Sequence, residues 1–131
     1  MIILEAVLSA VAAGELDAFS ILKAADSTKL QAAARNLNSL TISRAALMRV
    51  LLDWRSGTHS AAEVKQWASF VRRGYISGKP LGGGQPLDIA YDTDDEDLIV
   101  EIIGRFDEIG DLIDGSIDES EQVEMLRVLA G

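Results

Sequence analysis

Carboxylates are the residues of this chain with the most chemistry to offer, and they gather at its carboxyl end. Residues 92–131 carry 14 Asp and Glu against two Arg, a balance of −12, whereas residues 1–91 balance to +3. Clustered carboxylates can ligate a cation, do acid–base work or attract a basic partner. Spacing decides among these. Asp92, Asp94 and Glu96 begin like a calcium loop, but the sixth position is Asp97 where glycine is needed. The twelfth is Ile103 where a bidentate glutamate is needed. A loop started at Asp114 reaches Met125 at its twelfth position and does no better. No metal or cofactor site is expected, because helix capping accounts for both clusters.

The other chemically capable residues are few. His59 is the single histidine, placed next to Ser60 in a turn, and a general base would need an orienting carboxylate or a nucleophile in view. Its neighbours in sequence supply none, so it reads as a turn residue. Gly82-Gly83-Gly84 has the composition of a phosphate cradle, but no Lys-Ser/Thr follows it, and it reads as a loop. With no cysteine in the chain, disulfides, thiol nucleophiles and zinc–thiolate sites are excluded. No residue set assembles into an active site, and the chain is expected not to be an enzyme.

Angular position sharpens the acidic region. At about 100° per residue, Glu101, Glu108 and Asp111 fall within roughly 40° of Asp97. Ile99, Ile102, Ile103, Phe106, Ile109 and Ile113 fall on the opposite side. The segment therefore predicts a two-faced helix with one apolar side and one carboxylate stripe. Asp97, Glu101, Glu108 and Asp111 are the candidate partner-binding residues. Three readings of the stripe stay open. It is a solvated face, or it pairs internally with Arg44, Arg49, Arg55, Lys65, Arg72 or Arg73, or it docks on a basic partner.

These residues need elements to hold them. Ile3, Val7, Leu8 and Val11 recur at helical spacing before Gly14, predicting a helix over 2–13. A short helix is expected at 15–25, then one at 28–38 capped by Asp26 or Ser27. Thr41 is expected to cap a helix at 42–55 that is apolar nearly all round and hence central. Ser60-Ala61-Ala62-Glu63 is a capping box opening a helix at 60–75. Trp67 and Val71 lie on its inner face; Phe70 lies off that face and reads either as core, as an aromatic at helical spacing usually is, or as an exposed contact beside Arg72 and Arg73. Residues 77–91 hold both prolines and the three glycines, and read as a long loop whose end, Leu87–Tyr91, packs back on the core. Helices at 94–113 and 118–130 follow, capped by Asp92 or Thr93 and by Asp118, with Val123, Leu126 and Leu129 inward. The short connection predicts an antiparallel hairpin. Asp53…Gly57…Ser60…Glu63 recurs as Asp111…Gly115…Asp118…Glu121, one capping grammar used twice.

At 131 residues, 48% hydrophobic and 25% charged, the chain suits one globular, all-α domain of six or seven helices. Its apolar start lacks a basic n-region and is broken by Glu5, so it reads as a buried helix rather than a signal peptide. A net charge of −9 repels nucleic acid and anionic membranes but not a basic protein. A cytoplasmic location is expected.

The hairpin Leu51-Leu52-Asp53-Trp54-Arg55-Ser56-Gly57…Ser60-Ala61-Ala62-Glu63…Trp67, together with the acidic hairpin from Asp92 to Leu129, resembles small acidic all-helical bacterial immunity proteins. That resemblance implies a protein that neutralises a basic toxin domain by masking its surface, with no chemistry of its own. The competing expectation is a structural helical module that self-associates as a homodimer.

Overall fold

The structure, a computed structural model, describes residues 3–37, 40–76, 87–111 and 115–131, without the Ser27 side chain. Seven α-helices and a two-stranded parallel sheet make up the described residues. The all-α expectation holds apart from that small sheet.

Helix α1 (Leu4–Ala12) buries Leu8 and Val11 and ends on Gly14 at φ 91°. Gly14 is held there twice over: a Cβ would also lie 2.6 Å from the Ala46 carbonyl oxygen. A 3-10 turn at Leu16–Ala18 leads into α2 (Phe19–Ala24). The Asp26 carboxylate caps α3 (Ser27–Asn36), accepting from the backbone N–H of Thr28 at 2.8 Å.

Strand β1 (Leu40–Ile42) pairs in parallel with β2 (Ile89–Tyr91), Leu40 opposite Ile89 and Ile42 opposite Tyr91. The expected extended piece at 87–91 is thus present, and it docks by forming a ladder. Thr41 lies in β1 and does not cap the next helix. Ser43 does, accepting from the Ala46 N–H, so α4 runs Arg44–Arg55. Helix α4 is one-sided, not apolar all round. Ala46, Leu47, Val50 and Leu51 are buried, whereas Leu52 is 51% exposed.

The capping box of α5 (Ala61–Arg73) forms in full, with Ser60 accepting from the Glu63 N–H and Glu63 accepting from the Ser60 N–H. Gly74 closes the helix at φ 78°. Trp67 is fully buried and donates its indole N–H to the Val11 carbonyl at 2.8 Å, tying α5 to α1. Phe70 is buried as well, which decides between its two readings in favour of core. Helix α2 covers that side of α5, and the Phe19 ring meets Phe70 edge-on at 5.6 Å.

After β2 the Asp92 carboxylate caps a 3-10 turn at Thr93–Asp95, and α6 (Glu96–Asp107) follows. Its inner face buries Ile99, Ile102, Ile103 and Phe106. Helix α6 stops at Asp107 because the chain tightens into i→i+3 bonds, Glu108 N–H to Arg105 and Ile109 N–H to Phe106, and then turns at Gly110, φ 89°. The last helix, α7 (Glu119–Ala130), is capped by Asp118. Its buried residues are Met125 and Leu129, with Leu126 half-buried. Val123 is 49% exposed, contrary to its expected inward position.

The closing pair is not a tightly packed hairpin. Helix α6 packs chiefly on α5, and α7 chiefly on α4. Ile113, Asp114 and the glycine loop with its two prolines lie outside the described residues. Among the described residues no helix is long and apolar enough to cross a membrane.

Candidate functional site

The four candidate carboxylates do not form one unbroken stripe. Asp97 and Glu101 stand exposed on α6, Glu108 on the turn that follows it, and Asp111 beyond that turn. The helix ends too early to carry the stripe to its expected length. What the structure builds instead is a groove of about 610 Å3 between α6 and α7, with Arg72 and Tyr91 at its edge. Glu101 and Glu108 line it from α6, and Glu121 and Glu124 line it from α7. Leu98, Ile102, Met125 and Val128 supply apolar wall.

Arg105 holds the two walls together. Its Nε donates to Glu121 at 2.6 Å, its Nη1 to Glu108 at 3.1 Å and its Nη2 to the Ser116 carbonyl at 2.8 Å. This explains why the second capping box is half-built. Asp118 accepts from the Glu121 N–H, but the Glu121 carboxylate is turned to Arg105. Internal pairing was one open reading of the stripe. Among the described ion pairs none joins the four to the basic residues of the middle helices: Glu108 pairs with Arg105 of α6, and those basic residues go elsewhere. Arg44 meets Asp95, Arg49 meets Glu15 and Arg55 meets Glu119. On the groove rim Arg127 holds the Glu124 carboxyl below its ordinary range, so Glu124 stays ionised. Burial raises the Tyr91 hydroxyl at the groove edge above its ordinary value, which keeps it a neutral donor.

A second carboxylate centre lies on the flank of α6 that faces α5. Asp107 is 8% exposed, accepts a hydrogen bond from the Ser69 hydroxyl and pairs with Arg72 at 2.7 Å. Arg73 stands 3.8 Å from the same oxygen, and Lys65 donates to the Asp107 backbone carbonyl. Burial alone would raise this carboxyl. The Ser69 hydrogen bond and the charges of Arg73, Arg72 and Lys65 outweigh it and hold Asp107 below the usual aspartate value. A signal for this centre was present in Lys65, Ser69, Arg72 and Arg73, which recur at i, i+4, i+7 and i+8 beside the apolar face of α5.

His59 is buried in the turn before α5. Its Nδ1 lies 3.0 Å from Glu63 and its Nε2 3.6 Å from Asp17. Glu63, four residues on, is thus an orienting carboxylate that its sequence neighbourhood was not expected to supply, and the fold adds Asp17 from a distance. They are structural here, since Glu63 is engaged in the capping box. The Ser60 backbone bond, helped by His59, holds the Glu63 carboxyl below its ordinary value. The α6–α7 groove does not include His59. Among the described residues no group of three His, Asp or Glu side chains is placed to hold a metal ion.

Comparison of the chain with protein-family models, with curated proteins and with solved structures returned no match.

Proposed function

We propose that this is a non-enzymatic binding protein that docks on a basic protein partner through the α6–α7 groove, in the manner of an immunity or inhibitor protein. The observation that carries the reading is the pairing of four carboxylates with an apolar wall in one groove. Carboxylates at the rim steer a basic partner and set specificity, while Ile102, Met125 and Val128 offer area for a few apolar anchors. Immobilised protein should capture a basic partner from the native cell, and capture should weaken near 0.5 M salt, where the Debye length is only about 4 Å. Reversing Asp97, Glu101, Glu108 and Asp111 together should abolish it. Capture unchanged by that reversal sinks the proposal. Within the set, the groove residues Glu101 and Glu108 should matter more than Asp97 and Asp111.

Self-association is the second reading. Leu52 on α4 and Val123 on α7 are each about half exposed, and these two helices pack on each other. A homodimer burying both would show as a mass that rises with concentration in light scattering, and would be insensitive to salt.

A further inference from the structure

Gly104 lies inside α6, and nothing among the described residues requires a glycine there. Its backbone is helical, not left-handed. A Cβ at this position would meet no atom within 4 Å, whereas one at Gly14 would strike the Ala46 carbonyl. A glycine in a helix interior is less favourable than an alanine, because it gives up more backbone freedom on folding and brings no side chain to pack. The gap it leaves opens into the α6–α7 groove, which Gly104 lines.

The neighbours of that gap have complementary chemistry. Residues three and four apart share a helix face. Val100, four residues before Gly104, is about half exposed and lines the same groove. Glu101, three before, lines it as well, stands exposed and has no ion-pair partner among the described residues. Glu108, four after, closes the row and pairs with Arg105. Over about two turns the α6 wall thus offers an aliphatic surface, a place without a side chain and a carboxylate beside it. The complement of that order is a side chain with a long aliphatic stem and a cationic head. Lysine and arginine are built this way, and they lay the stem along apolar surface while the head stays among polar groups. A cation without a stem would satisfy the carboxylates but leave the gap unfilled.

We infer that Gly104 is the seat of a lysine or arginine side chain of the basic partner, its methylene stem lying over Gly104 against Val100 and its charged head at Glu101. The inference rests on the proposed docking of a basic protein in this groove, and it adds the position that selects a long cationic side chain over charge alone.

Titration of the 15N-labelled protein with acetylated tetralysine amide, and with the same peptide built on 2,4-diaminobutyrate, tests it. At about pH 6 both peptides carry the same charge, but the second has stems two methylenes shorter. Saturable shifts at the amides of Val100, Glu101, Gly104 and Arg105 are expected, with the lysine peptide about tenfold tighter, which is what burying two methylenes contributes. Gly104→Leu should fill the gap and bring the two peptides to within about twofold of each other, with the helical circular dichroism retained. Gly104→Ala is the milder variant; it should raise the Tm by a few degrees and narrow the same ratio. Equal affinity of the wild type for the two peptides overturns the seat and leaves docking in the groove standing, as does a ratio that neither substitution changes. No saturable shift in the groove with either peptide overturns both.

Discussion

Helix α6 presents carboxylates on two sides, and the two sides differ in kind. Toward α5, Asp107 is buried and surrounded by Ser69, Arg72, Arg73 and Lys65. Toward α7, Glu101 and Glu108 are exposed along an open groove in which Arg105 bridges Glu108 to Glu121 while Arg127 pairs with Glu124. The first arrangement joins two helices that pack on each other; the second spans two that pack chiefly on other helices. Residue type alone does not separate a carboxylate that holds the fold from one left for a partner. Burial and the number of cations in reach do.

The largest expected effect follows from the buried side. Asp107→Ala removes a charge on which two guanidinium groups converge and strands the buried Ser69 hydroxyl. It should lower unfolding stability by about 2–3 kcal/mol, less than a fully buried pair because Arg72 and Arg73 remain half-exposed. The urea midpoint measures it. A loss no larger than that from Glu101→Ala would erase the distinction between the two sides. The effect should also depend on pH. The folded carboxyl lies below its unfolded value, so Asp107 contributes its full stability above the ordinary aspartate value. As pH falls from there through the folded value, the difference between the wild type and Asp107→Asn should shrink toward zero. A difference that stays constant across that acid window would mean the charge is not what holds α5 to α6.

Arg105→Met comes next. Arg105 is 21% exposed and its bonds are charge-assisted, but Glu108 and Glu121 both keep contact with water. A loss of about 1 kcal/mol is expected, smaller at high salt. The same change frees two groove carboxylates, so the on-rate for a basic partner should rise several-fold. Stability lost with no change in association would make Arg105 a strut alone.

These contrasts also mark what was legible in the sequence. Caps are local chemistry, and Asp26, Ser60 with Glu63, and Asp118 cap the helices they were expected to cap, as Gly14 ends α1, whereas Asp92 caps the 3-10 turn ahead of α6. Failures occur where a distant partner decides. Ser43 displaces Thr41 as the cap because residues 40–42 are drawn into a ladder with 89–91, a pairing that three-residue strands far apart in sequence do not announce. Phe70, open between two readings, is buried because Phe19 arrives from α2, and Val123 is exposed because α7 turns Met125 and Leu129 toward α4 instead. On its own helix Asp107 looks like any other acid of the region. The group that buries it, Lys65 through Arg73, belongs to another. Of the four candidate residues, the fold brings Glu101 and Glu108 into one groove with Glu121 and Glu124, leaves Asp97 exposed outside it and carries Asp111 past the helix end.

The smallest effect on stability is expected where the functional effect is largest. Glu101 has no ion-pair partner among the described residues, and its side chain is exposed on a helix whose packing faces the other way. Glu101→Lys should therefore shift unfolding by no more than about 0.5 kcal/mol, and relief of repulsion along α6 can make the sign favourable. Its reach into the groove gives it a different weight in binding, where a reversed charge both removes an attraction and adds a repulsion. Urea denaturation and partner capture on the same variant separate the two properties. Near-native stability with capture lost is the result the open side of α6 demands. Stability lost in step with capture would place Glu101 with Asp107, among the carboxylates that hold the helices together.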